Sequence, residues 1–299
     1  MADTIRESRT AIHTAFFRAL ESARKNDAVF RDPYAAWFLP PKYALLAKAG
    51  RVGVLNAVIS KFIDKKWPAS PRATLVVRTR LIDDAIAKCV SRGARQVVLL
   101  GAGYDTRSFR LRTLAGCNVF EVDREPTQVR KRDLLKNAQP LVRCARYVAV
   151  DFESEDLARE LRRHGFDPEQ LAVIVLEGVT NYLSAESVDK LFRELQTLLS
   201  GESTLIFTYV NKLVIDSPES VPGAAEQTRS VTNVGERWKF GIAPEQLEAY
   251  LAERGFRLLA DVSAQEASPV VFSSRRRNEV GASYYMIAEA ALQEREGEP

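Results

Sequence analysis

The stretch Gln96-Val97-Val98-Leu99-Leu100-Gly101-Ala102-Gly103-Tyr104-Asp105-Thr106-Arg107 constrains this chain more than any other. Val97 to Leu100 is an unbroken apolar run, β-branched at its start, which is the pattern of a strand buried on both faces. Gly101 and Gly103 follow at once, where a tight turn lets a ligand approach backbone rather than side chains. A lone Gly-x-Gly also fits an ordinary strand-to-loop turn. About twenty residues on, a nucleotide-binding unit places an acid at the end of its second strand. Val119-Phe120-Glu121-Val122-Asp123 supplies one there.

From Gln96 onward strands and helices alternate. Strands are expected at 96–101, 118–123, 147–151, 172–178 and 203–210, with helices at 125–137, 154–164 and 185–199. Such alternation argues an α/β fold: a doubly wound, mostly parallel sheet with helices on both faces. The ligand crevice then lies at the carboxyl ends of the strands, near the first one. Asp105, Asp123, Asp151 and Glu177 all fall at those ends. A helix at 244–254, closed by Gly255, and strands at 256–262 and 284–290 complete the pattern. The link between these last strands carries Arg275-Arg276-Arg277, expected as a solvated turn. With no aromatic interleaving beside it, a nucleic-acid contact is not expected there.

Residues 1–75 read as a helical cap. Ile12, Ala15, Phe16, Ala19 and Leu20 recur at helical spacing, Asp32-Pro33 is a helix start, and Pro40-Pro41 is a stop. Up to Thr74 the chain carries thirteen Lys or Arg against six Asp or Glu. A solvated face is the default for these, and Arg18 is the best candidate for holding an anionic group. A further helix, 76–92, ends at Gly93, where a C-terminal cap belongs. Arg78 and Arg80 lie at its start, either as surface arginines or as partners of a ligand carboxylate. Residues 211–243 are long for a connection and rich in Pro and Gly, so they are expected to form an inserted lid. The cap (1–75) thus precedes one ligand-binding domain (76–299) carrying that insertion.

With 46% hydrophobic and 27% charged residues, the 299-residue chain reads as globular rather than disordered. A net charge of +4 is too small to argue for nucleic acid. No apolar run approaches the eighteen or so residues that span a bilayer, so no membrane partner is expected. Asp3, Arg6, Glu7 and Arg9 do not read as a signal peptide. Cys89, Cys117 and Cys144 are scattered, as suits reduced core thiols in a cytoplasmic protein. The acidic tail, 294–299, is expected to fray.

An acid ending the second strand can accept hydrogen bonds from both hydroxyls of a ribose, which NAD and S-adenosylmethionine share. The glycine turn separates them. A dinucleotide fingerprint wants a third glycine where this chain has Thr106, preceded by Asp105. A carboxylate repels a pyrophosphate but favours a sulfonium and an α-ammonium, which points to S-adenosylmethionine. Asp151-Phe152 is placed to meet an adenine, with a helix N-cap role for Asp151 equally open.

The segments 98–107, Phe120-Glu121-Val122-Asp123 and Leu176-Glu177-Gly178-Val179-Thr180-Asn181-Tyr182-Leu183 resemble the leucine carboxyl methyltransferase family, and within it the bacterial S-adenosylmethionine-dependent O-methyltransferases. Arg78-Thr79-Arg80-Leu81-Ile82-Asp83-Asp84 and Asp32-Pro33-Tyr34-Ala35 match as well, so the resemblance covers most of the chain. It implies a class I methyltransferase fold, Rossmann-like, with a seven-stranded sheet, an N-terminal helical cap and an inserted lid. Carried over by position, Gly101 would contact the methionine part, Asp123 the ribose, and Asp151 and Phe152 the adenine region; Gly103 and Asp105 stand as cofactor-binding candidates on the turn argument above. Glu177 would face the cofactor amino group. Arg78 would hold its carboxylate, with Arg80 as second candidate and Arg18 as helper. Two departures stand out: Pro126 comes third after the ribose acid rather than second, and 211–241 match no known substrate pocket.

The acceptor is expected to be a small molecule. A carboxylate is already ionised at pH 7 and needs no base, whereas a phenol or alcohol does. The chain has two histidines. His164 closes a helix and His13 sits in the cap, both expected to be structural or exposed, so the scarcity of histidine favours a carboxylate or acidic hydroxyl acceptor. Tyr182 and Tyr209 are pocket candidates, core burial being the default for each. An NAD-dependent oxidoreductase and a non-catalytic, RNA-associated scaffold are the competing classes.

Overall fold

A computed structural model describes residues 9–67, 70–142, 144–275 and 277–293. Asp3, Arg6, Glu7, Arg276 and the tail 294–299 lie outside the described residues. The sheet comprises β1 (Gln96–Leu100), β2 (Asn118–Asp123), β3 (Cys144–Ala149), β4 (Ala172–Leu176), β5 (Thr204–Val210), β6 (Phe256–Ser263) and β7 (Tyr285–Leu292). Their order is β3-β2-β1-β4-β5-β7-β6. β1 to β5 pair in parallel, while β7 is antiparallel to both β5 and β6.

Strand periodicity sorts the apolar runs into two layers, because successive side chains leave opposite faces. Val98, Leu100, Phe120, Val122, Ile174 and Leu176 pack on one face, and Val97, Leu99, Val119, Val173 and Val175 on the other. All five residues of β1 and of β4 are buried, so helices must cover both sides.

The helices are α1 (Arg9–Ala23), α2 (Pro41–Ala49), α3 (Gly53–Lys66), α4 (Pro71–Ser91), α5 (Arg107–Arg110), α6 (Glu125–Leu134), α7 (Leu157–Arg163), α8 (Ala185–Leu198), α9 (Leu213–Asp216), α10 (Ala224–Thr232), α11 (Leu247–Ala252) and α12 (Ala264–Phe272). Val188 and Leu191 of α8 and Leu247 of α11 join the first core layer. Val76 and Ile86 of α4 and Ala264 of α12 join the second.

The structure corrects three local expectations. α4 starts at Pro71, five residues early, because Pro71 occupies its first turn, where a missing N–H costs nothing. Pro40-Pro41 ends one helical turn but also starts α2, with Pro41 as its first residue. The link before β7 contains α12, whose start was legible as Ser263-x-x-Glu266: each side chain caps the other's backbone N–H. Arg275 and Arg277 of that link do not form a solvated turn: Arg275 ends a short 3-10 turn. Arg277 is buried, and its guanidinium donates to both carboxylate oxygens of Glu21 on α1 at 2.7 and 3.0 Å. It thereby ties the cap to the final strand region.

Candidate functional site

Parallel register assembles the site. Leu100 pairs with Val122 on one side and Leu176 on the other, so Gly101, Asp123 and Glu177 leave three adjacent strands side by side. A cavity of about 690 Å³ opens there. Gly101 and Gly103 have φ of +63° and +41°, a region in which side chains are strained. A Cβ on Gly101 would also collide with the Val179 side chain. The Gly103 N–H donates to Asp123 Oδ2 at 2.6 Å, and the Arg124 N–H donates to Oδ1 at 2.7 Å. Asp123 therefore pins the turn as well as edging the cavity.

Beside the turn lies a charge network. Arg107 of α5 is 1% exposed. Its Nη1 donates to Asp105 Oδ2 at 2.5 Å and Glu177 Oε2 at 2.7 Å, and its Nε to Asp83 Oδ1 at 2.7 Å. Arg78 Nε donates to Glu177 Oε1 at 2.8 Å, and its Nη1 to the Tyr285 hydroxyl at 2.8 Å. Burial disfavours the charged form of Asp105, but Arg107, Lys131, Arg110 and Arg18 together outweigh it and hold the carboxyl well below its usual range. Glu177 is likewise lowered, burial being overcome by Arg107 and then Arg78. Arg107 was quoted within the glycine motif without a role. Its local signal is the acid two residues before it, Asp105, but its other two carboxylate partners, Asp83 and Glu177, are distant in sequence.

Gly101, Gly103, Asp105, Asp123, Asp151, Phe152, Glu177, Arg78, Arg18 and Tyr182 all line the cavity. Asp151 does not cap α7, whose N-cap is Asp156. Arg18 Nη2 donates to the Tyr104 carbonyl at 2.6 Å, joining α1 to the glycine turn. Two candidates stand apart. Arg80 lies outside the cavity, partly exposed and paired with Asp84 at 2.7 Å, since residues two apart on a helix do not share a face. Tyr209 is fully buried away from the cavity, its hydroxyl donating to Asp261 Oδ2 at 2.7 Å.

Other walls come from the cap and the 211–243 segment. Gln227, Ser230 and Val231 of α10, together with 234–239, close over one side, and Trp67 lies on another. His13, expected to be structural or exposed, also lines the cavity, 3.3 Å from the Tyr43 hydroxyl through Nε2. Burial first, and then Arg9, lower its pKa below the ordinary histidine value. His164 follows the expectation: it caps α7 and its Nδ1 lies 2.8 Å from the Glu160 carbonyl. Tyr284 and Tyr285, at the start of β7, line the cavity without having been singled out, because only the antiparallel insertion of β7 beside β5 brings them there.

A parallel sheet with one antiparallel strand, an acid ending β2 and a glycine turn after β1 define a Rossmann-like methyltransferase fold. A DUF574 family protein from Streptomyces avermitilis shares it with a TM-score of 0.60 at 15% identity, over 97% of this chain and all of that one. A "putative methyltransferase" from Thermobifida fusca does so with a TM-score of 0.58 at 19% identity, over 87% of this chain and 93% of that one. The sequence profile of the family described as leucine carboxyl methyltransferase matches residues 11–196. A relative from Parafrankia sp. is 32% identical over 261 residues, 83% of this chain and 76% of its own. Another, from Mycobacteroides abscessus, is 33% identical over 231 residues, 74% of this chain and 72% of its own. Both bear the name "putative S-adenosyl-L-methionine-dependent methyltransferase". The chain belongs to the leucine carboxyl methyltransferase family and is an S-adenosylmethionine-dependent methyltransferase. That assignment removes the motive for the NAD-dependent alternative.

Proposed function

We propose that this chain transfers a methyl group to the carboxylate of a small molecule, on a cofactor held by the residues around the glycine turn. The residue set suits S-adenosylmethionine. The turn leaves no room for a Cβ at Gly101 beside Val179, so backbone alone lines it there, and the cavity-lining residues Thr79 and Arg107 hold buried atoms, Oγ1 and Nη2, without a hydrogen-bond partner among the described residues. In this reading Asp123 accepts from the ribose hydroxyls, Asp151 and Phe152 meet the adenine, Glu177 and Asp105 face the ammonium, and Arg78 binds the carboxylate. When bound, the cofactor supplies an electrophilic methyl on a sulfonium. The chain's own work is to align the acceptor in line with that methyl and exclude water.

The observation that carries the carboxylate reading is the state of the acids in the cavity. Asp105 and Glu177 are committed to arginines and held below their usual pKa, which makes them poor bases. Burial pushes the Tyr182 hydroxyl up, so it holds its proton at pH 7. An acceptor that arrives ionised needs none of these groups to take its proton. The walls from 1–75 and 211–243 would then act as cap and lid over it. The buried, unbridged thiols of Cys89 and Cys117 support a reducing, cytoplasmic setting.

His13 favours a second reading, an acidic hydroxyl as acceptor, because a neutral imidazole in the cavity can take a proton. A pH–rate profile with the true acceptor, in wild type and His13→Ala, separates them. A carboxylate acceptor gives rates flat from about pH 6 to 9 that the variant preserves. A hydroxyl acceptor gives a rate that falls on the acid side and drops roughly 100-fold or more in the variant. Binding of S-adenosylmethionine with no turnover of any acceptor would instead favour the scaffold class.

A further inference from the structure

The cap contains a helical hairpin that is apolar on its outer side. The face α3 turns inward is mixed: Ile63 is buried in the cap core with Ile59 packed against it, Asn56 and Ser60 are buried as well, and Asn56 Nδ2 donates to the carbonyls of Leu20 at 2.9 Å and Gly50 at 3.0 Å. The face it turns outward carries Val54, Val58 and Phe62, spaced four apart and 75%, 59% and 67% exposed. Leu45 and Leu46 on α2 are exposed as well. Of the fourteen exposed large apolar side chains among the described residues, seven fall between Leu45 and Phe62. Scattered exposed apolar residues are ordinary, but a row aligned on the side of the helix away from its core is not.

Charge identifies what would cover this row. Residues 41–66 contain six basic side chains (Lys42, Lys48, Arg51, Lys61, Lys65 and Lys66) and one acid, Asp64. Asp64 is already taken by Arg72 of α4 at 2.5 Å, so the positive excess stands uncompensated within the hairpin. Apolar side chains among lysines on a short amphipathic helix are the composition of an element that lies in a membrane interface. We propose that the α2–α3 hairpin docks this protein on an anionic lipid surface. Val54, Val58 and Phe62 enter the headgroup–acyl boundary, and the basic side chains meet lipid phosphates.

A second copy is a poorer occupant, because a two-fold contact through this face would set one basic rim against another. The expectation of no membrane partner rested on the lack of a spanning run. No helix among the described residues is long and apolar enough to cross a membrane, but a helix lying in the interface needs no such length. Docking here would also reach the cavity wall. Trp67 ends α3 and lines the cavity, and Tyr43 of α2 contacts cavity-lining His13.

Co-sedimentation tests this with the full chain and vesicles of phosphatidylcholine, pure or containing phosphatidylglycerol as a minor component. The full chain is expected to pellet with the anionic vesicles, less so at high salt, and to stay in solution with pure phosphatidylcholine. Val58→Asp with Phe62→Asp should lower the bound fraction roughly tenfold or more. Lys61→Glu with Lys65→Glu should do the same for anionic vesicles. Val270→Asp, equally exposed but on α12, is the control that leaves binding intact. Circular dichroism and S-adenosylmethionine titration confirm that each variant is folded. No binding to anionic vesicles, or binding indifferent to the Phe62 variant, overturns the proposal. So does a dimer that the Phe62 variant dissolves while vesicles capture nothing. The readout is lipid binding, so its failure leaves the methyl-transfer reading standing.

Discussion

Arg107 Nη1 donates to Glu177 Oε2 at 2.7 Å across 70 residues of sequence, joining the turn after β1 to the end of β4. The same guanidinium reaches Asp105 and Asp83, so one buried cation bridges three carboxylates at the cavity floor, with Arg78 and Arg110 supplying further positive charge. Glu177 in turn spans Arg107 and Arg78. The pair fixes where charge can stand beneath a ligand.

Arg107→Met should therefore strip Asp105 of its ion pair and leave Glu177 and Asp83 with only Arg78 and Arg110. Loss of one partner of a buried pair costs about 3–5 kcal/mol, and urea unfolding should show a loss of that size. Arg107→Lys should recover only part of it, since an ammonium cannot present the planar fork that reaches three acceptors.

The same network sets an acid limit. Asp105 and Glu177 have folded pKa values below their ordinary ones. Their contribution to stability is thus fully present above the ordinary carboxylate range, near 4, and is lost as pH falls through the lowered folded values. Unfolding free energy measured downward from pH 7 should fall on the acid side of about pH 4, and Arg107→Met should flatten that dependence.

Asp123→Ala removes the acceptor of the Gly103 N–H and, in the proposed reading, two ribose contacts. Calorimetric titration should show S-adenosylmethionine binding weakened roughly 100-fold, the worth of two hydrogen bonds to a charged group. Unchanged affinity would remove Asp123 from the site.

The two tyrosines should part company. Tyr209→Phe strands Asp261 in a half-buried position and should cost about 1–3 kcal/mol of stability with KM unchanged. Tyr182→Phe should leave the melting temperature nearly intact and shift the acceptor KM, as a cavity-wall residue would.

Arg277 and Arg275 test the corrected arginine cluster. Arg277→Met abolishes the bidentate contact with Glu21 and should destabilise by about 3–5 kcal/mol on thermal or urea unfolding. Arg275→Met, whose contacts are to the carbonyls of Ala28 and Val271 and to Ser274, should cost far less.

The sheet was legible because its signals are local. Val97 to Leu100 and Ala172 to Leu176 are apolar throughout, and a strand covered on both faces has no other pattern to show. β3, an edge strand, starts three residues before the expected 147 because Cys144-Ala145-Arg146 lacks the continuous apolar run that marks the central strands. Asp123 and Glu177 were found because the acid ends a strand that could be recognised in isolation. Arg107, His13 and Tyr285 escaped because their importance lies in what faces them.

The order of strands and helices, the glycine turn and the acids at the strand ends were determined by the sequence itself, through side-chain periodicity and backbone freedom. Only the tertiary structure decided that Arg78 faces the cavity while Arg80 faces outward, that Tyr209 belongs to the core, and that Arg277 pairs with Glu21 rather than with water. The physical reason is that the charge state and partner of such residues are set by burial and by groups 52 to 256 positions away, which no local pattern records.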